Sequence, residues 1–111
     1  LGCGRLALVG HSFGGAVVIS AGALSPSVIG VAALSSQTAG TELAADLGSR
    51  SLLLLHGGAD TVLSAACSRD IYRRASEPKQ VILYPGCGHG LDECRDDVDR
   101  DVLRWLRELL R

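Results

Sequence analysis

Apolar positions along the chain fall in short continuous runs separated by glycine-rich or polar turns. Arg5-Leu6-Ala7-Leu8-Val9 stops at Gly10, and the run from Val28 to Leu34 (VIGVAAL) is closed by Ser35-Ser36-Gln37-Thr38. Ser51 to Leu55 ends at His56-Gly57-Gly58, and Gln80 to Tyr84 (QVILY) ends at Pro85-Gly86. None of these runs alternates apolar with polar residues, which is the pattern of strands buried on both faces. The segments between them read as helices. Small residues from Ala16 to Leu24 follow Gly14-Gly15 and end before Pro26, which cannot continue a helix. A short helix is expected between Gly40 and Leu47, with Thr41 as its cap. Ser64 is placed to cap a helix through about Ala75, whose polar face carries Arg69, Asp70, Arg73 and Arg74. From Asp92 or Glu93 to Leu110, the residues Val98, Val102, Trp105, Leu106 and Leu109 recur at helical spacing among charges. Strands that alternate with helices through right-handed crossovers predict an α/β fold: a parallel sheet of about four strands with flanking helices. Residues 1–111 are read as a single domain.

In such sheets ligands sit beyond the carboxyl ends of the strands. The first strand ends in Gly10-His11-Ser12-Phe13-Gly14, a G-x-S-x-G between a strand and a helix. A sharp strand-to-helix turn presents the Ser12 hydroxyl above the sheet, and its glycine neighbours leave room for the strained backbone. Ser12 then lies at a helix N-terminus, which favours negative charge, and the Phe13 N–H is placed to face a developing oxyanion. A serine nucleophile needs a base, and the base needs an orienting acid. Asp60 lies just past the third strand and His89 lies just past the fourth, in Pro85-Gly86-Cys87-Gly88-His89-Gly90. The chain order is Ser12, Asp60, His89.

Three motifs, GHSFGG, LLLLHGGADTVLS and ILYPGCGHGLDE, resemble those of α/β-hydrolases, above all dienelactone-hydrolase-like and esterase-like members. The resemblance runs over the whole chain and implies Ser12 as nucleophile, Asp60 as acid, His89 as base and the Phe13 N–H as half of an oxyanion hole. The activity it implies is hydrolysis of an ester or related acyl bond through an acyl-enzyme. Dienelactone hydrolases proper carry Cys at the nucleophile position, so Ser12 points to serine-type relatives. The family fold has about eight strands in roughly 200 residues or more, so the chain is read as its C-terminal half. The second oxyanion donor of the family lies upstream of the elbow strand. Without it, a contribution of roughly 3 kcal/mol to the transition state is lost. The isolated chain is therefore expected to be inactive, and the alternative reading is a catalytically silent fragment that serves as a scaffold or association module.

Other polar residues are given plainer roles. His11 and His56 are expected to be structural, and Asp46 and Asp70 to be solvated charges on helices. Asp92 and Glu93 are expected to cap the last helix, the run Glu93–Asp101 to form its solvated face, and Trp105 to pack in the core. Phe13, Val62 and Leu63 suggest a small apolar pocket near the strand ends.

Composition narrows the partners. The 11 Lys+Arg against 12 Asp+Glu give a net charge of −1, which offers nothing to a nucleic acid or an anionic membrane. No apolar run approaches the ~20 residues of a membrane span, and no signal peptide is visible, so a cytoplasmic location is expected. Cys3, Cys67, Cys87 and Cys94 form no C-x-x-C pair and no common zinc spacing. They are read as small half-buried thiols, with no metal and no cofactor. The partner expected is a small-molecule ester or acyl substrate. The chain lacks Met and begins at Leu1, which reads as a fragment, a processed chain or a trimmed one. Arg5–Val9 would then be an exposed sheet edge, through which self-association is expected.

Overall fold

The computed structural model describes residues 4–111, so the reading of Cys3 as a half-buried thiol lies outside the described residues. The strands are β1 (Leu6–His11), β2 (Val28–Leu34), β3 (Ser51–Gly57) and β4 (Lys79–Tyr84). The helices are α1 (Phe13–Leu24), α2 (Ala66–Arg74) and α3 (Arg95–Leu109). The strands form one parallel sheet in the order β1-β2-β3-β4. The predicted α/β class and its four-stranded sheet are therefore what the chain adopts.

Alternate residues of the two inner strands face opposite layers. Val31 and Ala33 of β2 pack with Leu52 and Leu54 of β3 against Ile19 of α1 and Ile71 of α2. Ala32, Leu53 and Leu55 pack on the other face against Val98 and Trp105 of α3. Gly30 is what lets α3 come so close, since a Cβ there would lie 2.5 Å from Leu109 and 2.9 Å from Trp105. The expectation of strands buried on both faces holds for β2 and β3 and fails for β1, where Leu6 is 39% and Val9 49% exposed. Among the described residues β1 pairs only with β2, so it has no neighbour to cover its outer side.

Several local expectations change. The segment before β3 holds only a single 3-10 turn (Ala44–Leu47) bracketed by Gly40 and Gly48, both at positive φ. Thr41 does not cap a helix. It is fully buried, and Arg74 donates to both its carbonyl and its hydroxyl at 2.7 Å. Ser64 does meet the start of α2, accepting the Ala66 N–H at 3.1 Å. The last helix begins at Arg95, after a 3-10 turn over Asp92–Cys94. Its charged run is not wholly solvated. Asp101 is 7% exposed and accepts the Tyr84 hydroxyl at 2.7 Å, with Arg100 and Arg104 alongside. Burial opposes the Asp101 charge, yet the Tyr84 and Arg100 hydrogen bonds hold its pKa below the usual carboxylate value.

The reading of free thiols fails at two positions. Cys87 and Cys94 form a disulfide across seven residues, with Cα atoms 6.1 Å apart. The turn around Leu91, which has φ 61°, folds the chain back so that the two sulfurs meet. Cys67 remains a half-buried thiol.

Candidate active site

Each strand exit is tied to the end of its neighbour. The Ser12 N–H donates to the Leu34 carbonyl (2.7 Å), the Ser35 N–H to Leu55 (2.8 Å) and the Gly58 N–H to Tyr84 (2.8 Å). These bonds set the turns after β1, β2, β3 and β4 side by side at one end of the sheet.

Ser12 occupies the turn between β1 and α1 with φ 60° and ψ −120°, a conformation that costs a non-glycine residue about 1–3 kcal/mol. Two glycines make the turn feasible. A Cβ at Gly10 would lie 2.2 Å from the Gly14 carbonyl oxygen, and one at Gly15 would lie 2.9 Å from the Ser36 Cβ. Gly14 itself has open space, so the requirement falls on Gly10 and Gly15 rather than evenly on both sides of the serine. Phe13 is the first residue of α1, and its N–H therefore has no acceptor within the helix.

Asp60 is held from all sides. One oxygen, Oδ1, accepts the N–H groups of Val62 and Leu63, each at 2.8 Å. The other, Oδ2, meets His89 Nδ1 at 2.8 Å and His56 Nε2 at 3.2 Å. Its side chain is fully buried. Burial alone would raise its pKa, but the Leu63 N–H, the His89 ring and the Val62 N–H outweigh that and hold it below the usual value. The carboxylate is therefore ionised at neutral pH.

His56 is structural, as expected, with a more specific role than packing. Its Nε2 is 2.8 Å from the Leu63 carbonyl, which can only accept, so the proton sits on Nε2, with Asp60 Oδ2 3.2 Å away. Its Nδ1 then accepts the hydroxyl of Ser68 at 2.7 Å. His56 and Ser68 are both fully buried.

His89 joins the other two residues. Asp60 is an acceptor, so His89 Nδ1 carries a proton, and Nε2 is left to accept the Ser12 hydroxyl at 2.9 Å. The His89 ring is 21% exposed. Its loop carries Gly86, Gly88 and Gly90, and is fastened at Cys87 by the disulfide and by the Ala59 N–H on the Cys87 carbonyl (3.0 Å). Glu93 does not cap α3. Its Oε1 accepts the Gly88 N–H at 3.2 Å, and its own N–H together with that of Gly88 lowers its pKa. Asp92 likewise makes no cap bond and pairs with Arg95 at 3.6 Å on the surface. His11 donates from Nε2 to the His89 carbonyl at 2.9 Å, its ring centroid 5.1 Å from that of His89.

All three residues singled out in sequence thus converge in one hydrogen-bonded chain. Phe13 and Val62 are both 68% exposed, so the apolar residues near the strand ends line an open surface rather than a closed pocket. A cleft of about 320 Å³ lies beside the site, lined by His11, Leu34, Gly90, Leu91 and Arg95 among others. Sequence reasoning missed Ser35, Ser68 and the disulfide partners. Ser35 and Ser68 carry no spacing signal. Cys87 and Cys94 did carry one, since they flank His89 at short range.

The fold has many counterparts among solved structures. A dienelactone hydrolase from Anabaena variabilis superposes with a TM-score of 0.87 at 22% identity, over 96% of this chain and 50% of its own. An esterase domain from Rhodothermus marinus gives 0.83 at 20%, over 95% and 62%. A predicted CIB-like hydrolase from Thermoplasma acidophilum gives 0.81 at 26%, over 97% and 53%. The chain thus spans between 50% and 62% of the length of these three structures. No family model matches the chain, and no curated protein matches it in sequence. The architecture these structures share with this chain is that of α/β-hydrolases, to which its four parallel strands and three helices correspond.

Proposed function

We propose that the chain carries the catalytic portion of a serine hydrolase acting on small-molecule esters or related acyl bonds. The observation that supports this most directly is the donor sense of the Ser12–His89–Asp60 chain. The ionised Asp60 orders the His89 tautomer, so that the basic Nε2 faces the Ser12 hydroxyl at 2.9 Å. Ser12 Oγ attacks the carbonyl carbon while His89 Nε2 takes its proton. The resulting oxyanion accepts the Phe13 N–H, and collapse expels the alcohol, to which His89 returns the proton. Water, deprotonated by His89, then attacks the acyl-Ser12 ester; the acid leaves as His89 returns the proton to Ser12 Oγ. No metal or organic cofactor enters these steps. The similarity to an esterase and to a dienelactone hydrolase favours an ester substrate.

Labelling by a fluorophosphonate probe tests the reading, with Ser12→Ala as control. Covalent labelling of the wild-type chain that disappears in the variant supports it. Absence of Ser12-dependent labelling, both in this chain and in any longer protein that contains it, sinks it.

The exposed Leu6 and Val9 on the outer strand β1 favour a second property, self-association through that sheet edge. A concentration-dependent mass in light scattering is the expected result, and a monodisperse monomer at high concentration removes it. If the chain associates and neither it nor a longer protein that contains it labels at Ser12, the association-module reading replaces the enzymatic one.

A further inference from the structure

We propose that Ser35 is a positioning residue for His89, acting through the peptide that follows it, with His11 as its partner on the same oxygen. Ser35 stands just beyond β2, the strand between those that deliver Ser12 and Asp60. Its side chain is fully buried, and its hydroxyl donates to the His89 carbonyl at 2.9 Å across 54 residues of sequence. His11 Nε2 donates to the same oxygen at 2.9 Å. A carbonyl oxygen has two lone pairs, and here both are used. The plane of the peptide between His89 and Gly90 is thereby fixed, and with it the direction in which the His89 side chain leaves the backbone.

The loop needs such an outside grip. Gly88 and Gly90 flank His89, and glycine leaves the backbone free to take many conformations. The disulfide fastens positions 87 and 94, and the Glu93 carboxylate fastens Gly88, but neither touches the peptide after His89. The two donors differ in setting. His11 is exposed and competes with water, whereas Ser35 is fully buried and its bond to the His89 carbonyl is partly shielded. Ser35 also holds φ 51°, a backbone conformation that glycine adopts more easily than serine. A glycine there would relax the backbone but lose the Cβ and the hydroxyl, so what serine adds at this position is a side chain whose hydrogen bond goes to the His89 carbonyl.

The proposal rests on the reading of His89 as the base, and its test separates the two. Ser35→Gly and Ser35→Ala are made in the full chain, and the His89 imidazole Nδ1–H resonance is followed by proton NMR together with the labelling rate at Ser12. Expected are melts close to wild type for Ser35→Gly, a broadened or upfield-shifted Nδ1–H signal, and labelling slowed about 10- to 100-fold by misplacement of the ring. His11→Phe should give a smaller effect, and His11→Gln, which keeps a donor, should restore most of it. An unchanged resonance and rate in folded Ser35→Gly overturns the proposal. So does unfolding of both Ser35 variants, which would make the residue structural. If neither the wild-type chain nor a longer protein that contains it labels at Ser12, the hydrolase reading fails, while the Nδ1–H signal still decides the role of Ser35.

Discussion

The loop after β3 and the loop after β4 meet at the Asp60–His89 hydrogen bond, yet they are held by different means. The Asp60 loop is fixed by its own short-range bonds and by the buried His56–Ser68 pair beneath it. The His89 loop buries Cys87 and Leu91 in the core, but His89 itself lies between two glycines. A disulfide, a carboxylate and two donors from the ends of β1 and β2 fasten it from outside. The contrast suits the proposed chemistry, in which the acid stays put while the base must swing its proton between Ser12 and the leaving group. Damage to the first loop should register mainly as lost stability, and damage to the second mainly as lost reactivity.

Substitution at the point where the loops touch should have the largest effect. A Cβ at Gly57 would lie 2.2 Å from the Cys87 carbonyl oxygen and 2.7 Å from that of Gly88, all of it backbone. Gly57→Ala should push the loops apart, costing about 3 kcal/mol or more and abolishing Ser12 labelling. A urea melt within 1 kcal/mol of wild type (about the scale of an average substitution) would show that the loops are not locked together. His56→Ala comes next. It leaves the Ser68 hydroxyl and the Leu63 carbonyl without their ring partner in the interior, at a cost of about 2–4 kcal/mol by the same melt.

Cys94→Ser opens the staple. The chain-entropy account of so short a loop assigns about 2 kcal/mol to the bridge. The comparison predicts that labelling should fall by more than the melt implies, because the His89 loop is the one released. Equal losses in both assays would erase the distinction between the loops.

The smallest effect is that of acid. Asp60 has a folded pKa below its unfolded value, so its stabilisation is fully present above the unfolded value of about 3.9 and is lost as pH falls through the folded one. The wild-type chain should lose stability on acidification below about pH 4, with a shallower slope in Asp60→Asn. Identical slopes would assign the acid sensitivity to other carboxylates, such as the Arg-paired Asp70 or the buried Asp101.

Much of this is legible in the sequence. Continuous apolar runs marked the inner strands because β2 and β3 are covered on both faces, and the turn residues Ser12, Asp60 and His89 stood out because each follows such a run. The Val28–Leu34 run matched its strand to the residue. Other features depend on three-dimensional context that local patterns do not carry. Asp101 resembles its charged neighbours in sequence, and only the approach of Tyr84 from another element makes it buried. Thr41 has the residue type of a cap, and only the approach of Arg74, 33 residues away, decides its role. Ser35 sits in an ordinary polar stretch, and its meaning comes from a carbonyl 54 residues on.

The ladder of exit bonds from Ser12 to Leu34, Ser35 to Leu55 and Gly58 to Tyr84 bears on how the chain folds. The first rung holds the Ser12 turn, the third joins the strand ends that lead to Asp60 and His89, and each rung spans a crossover. Parallel pairing of this kind forms slowly, since each crossover must close before its contacts count. Reactivity of Ser12 can therefore arise only when the whole sheet has registered. In a refolding experiment, the labelling of that one hydroxyl would mark the last strand to arrive.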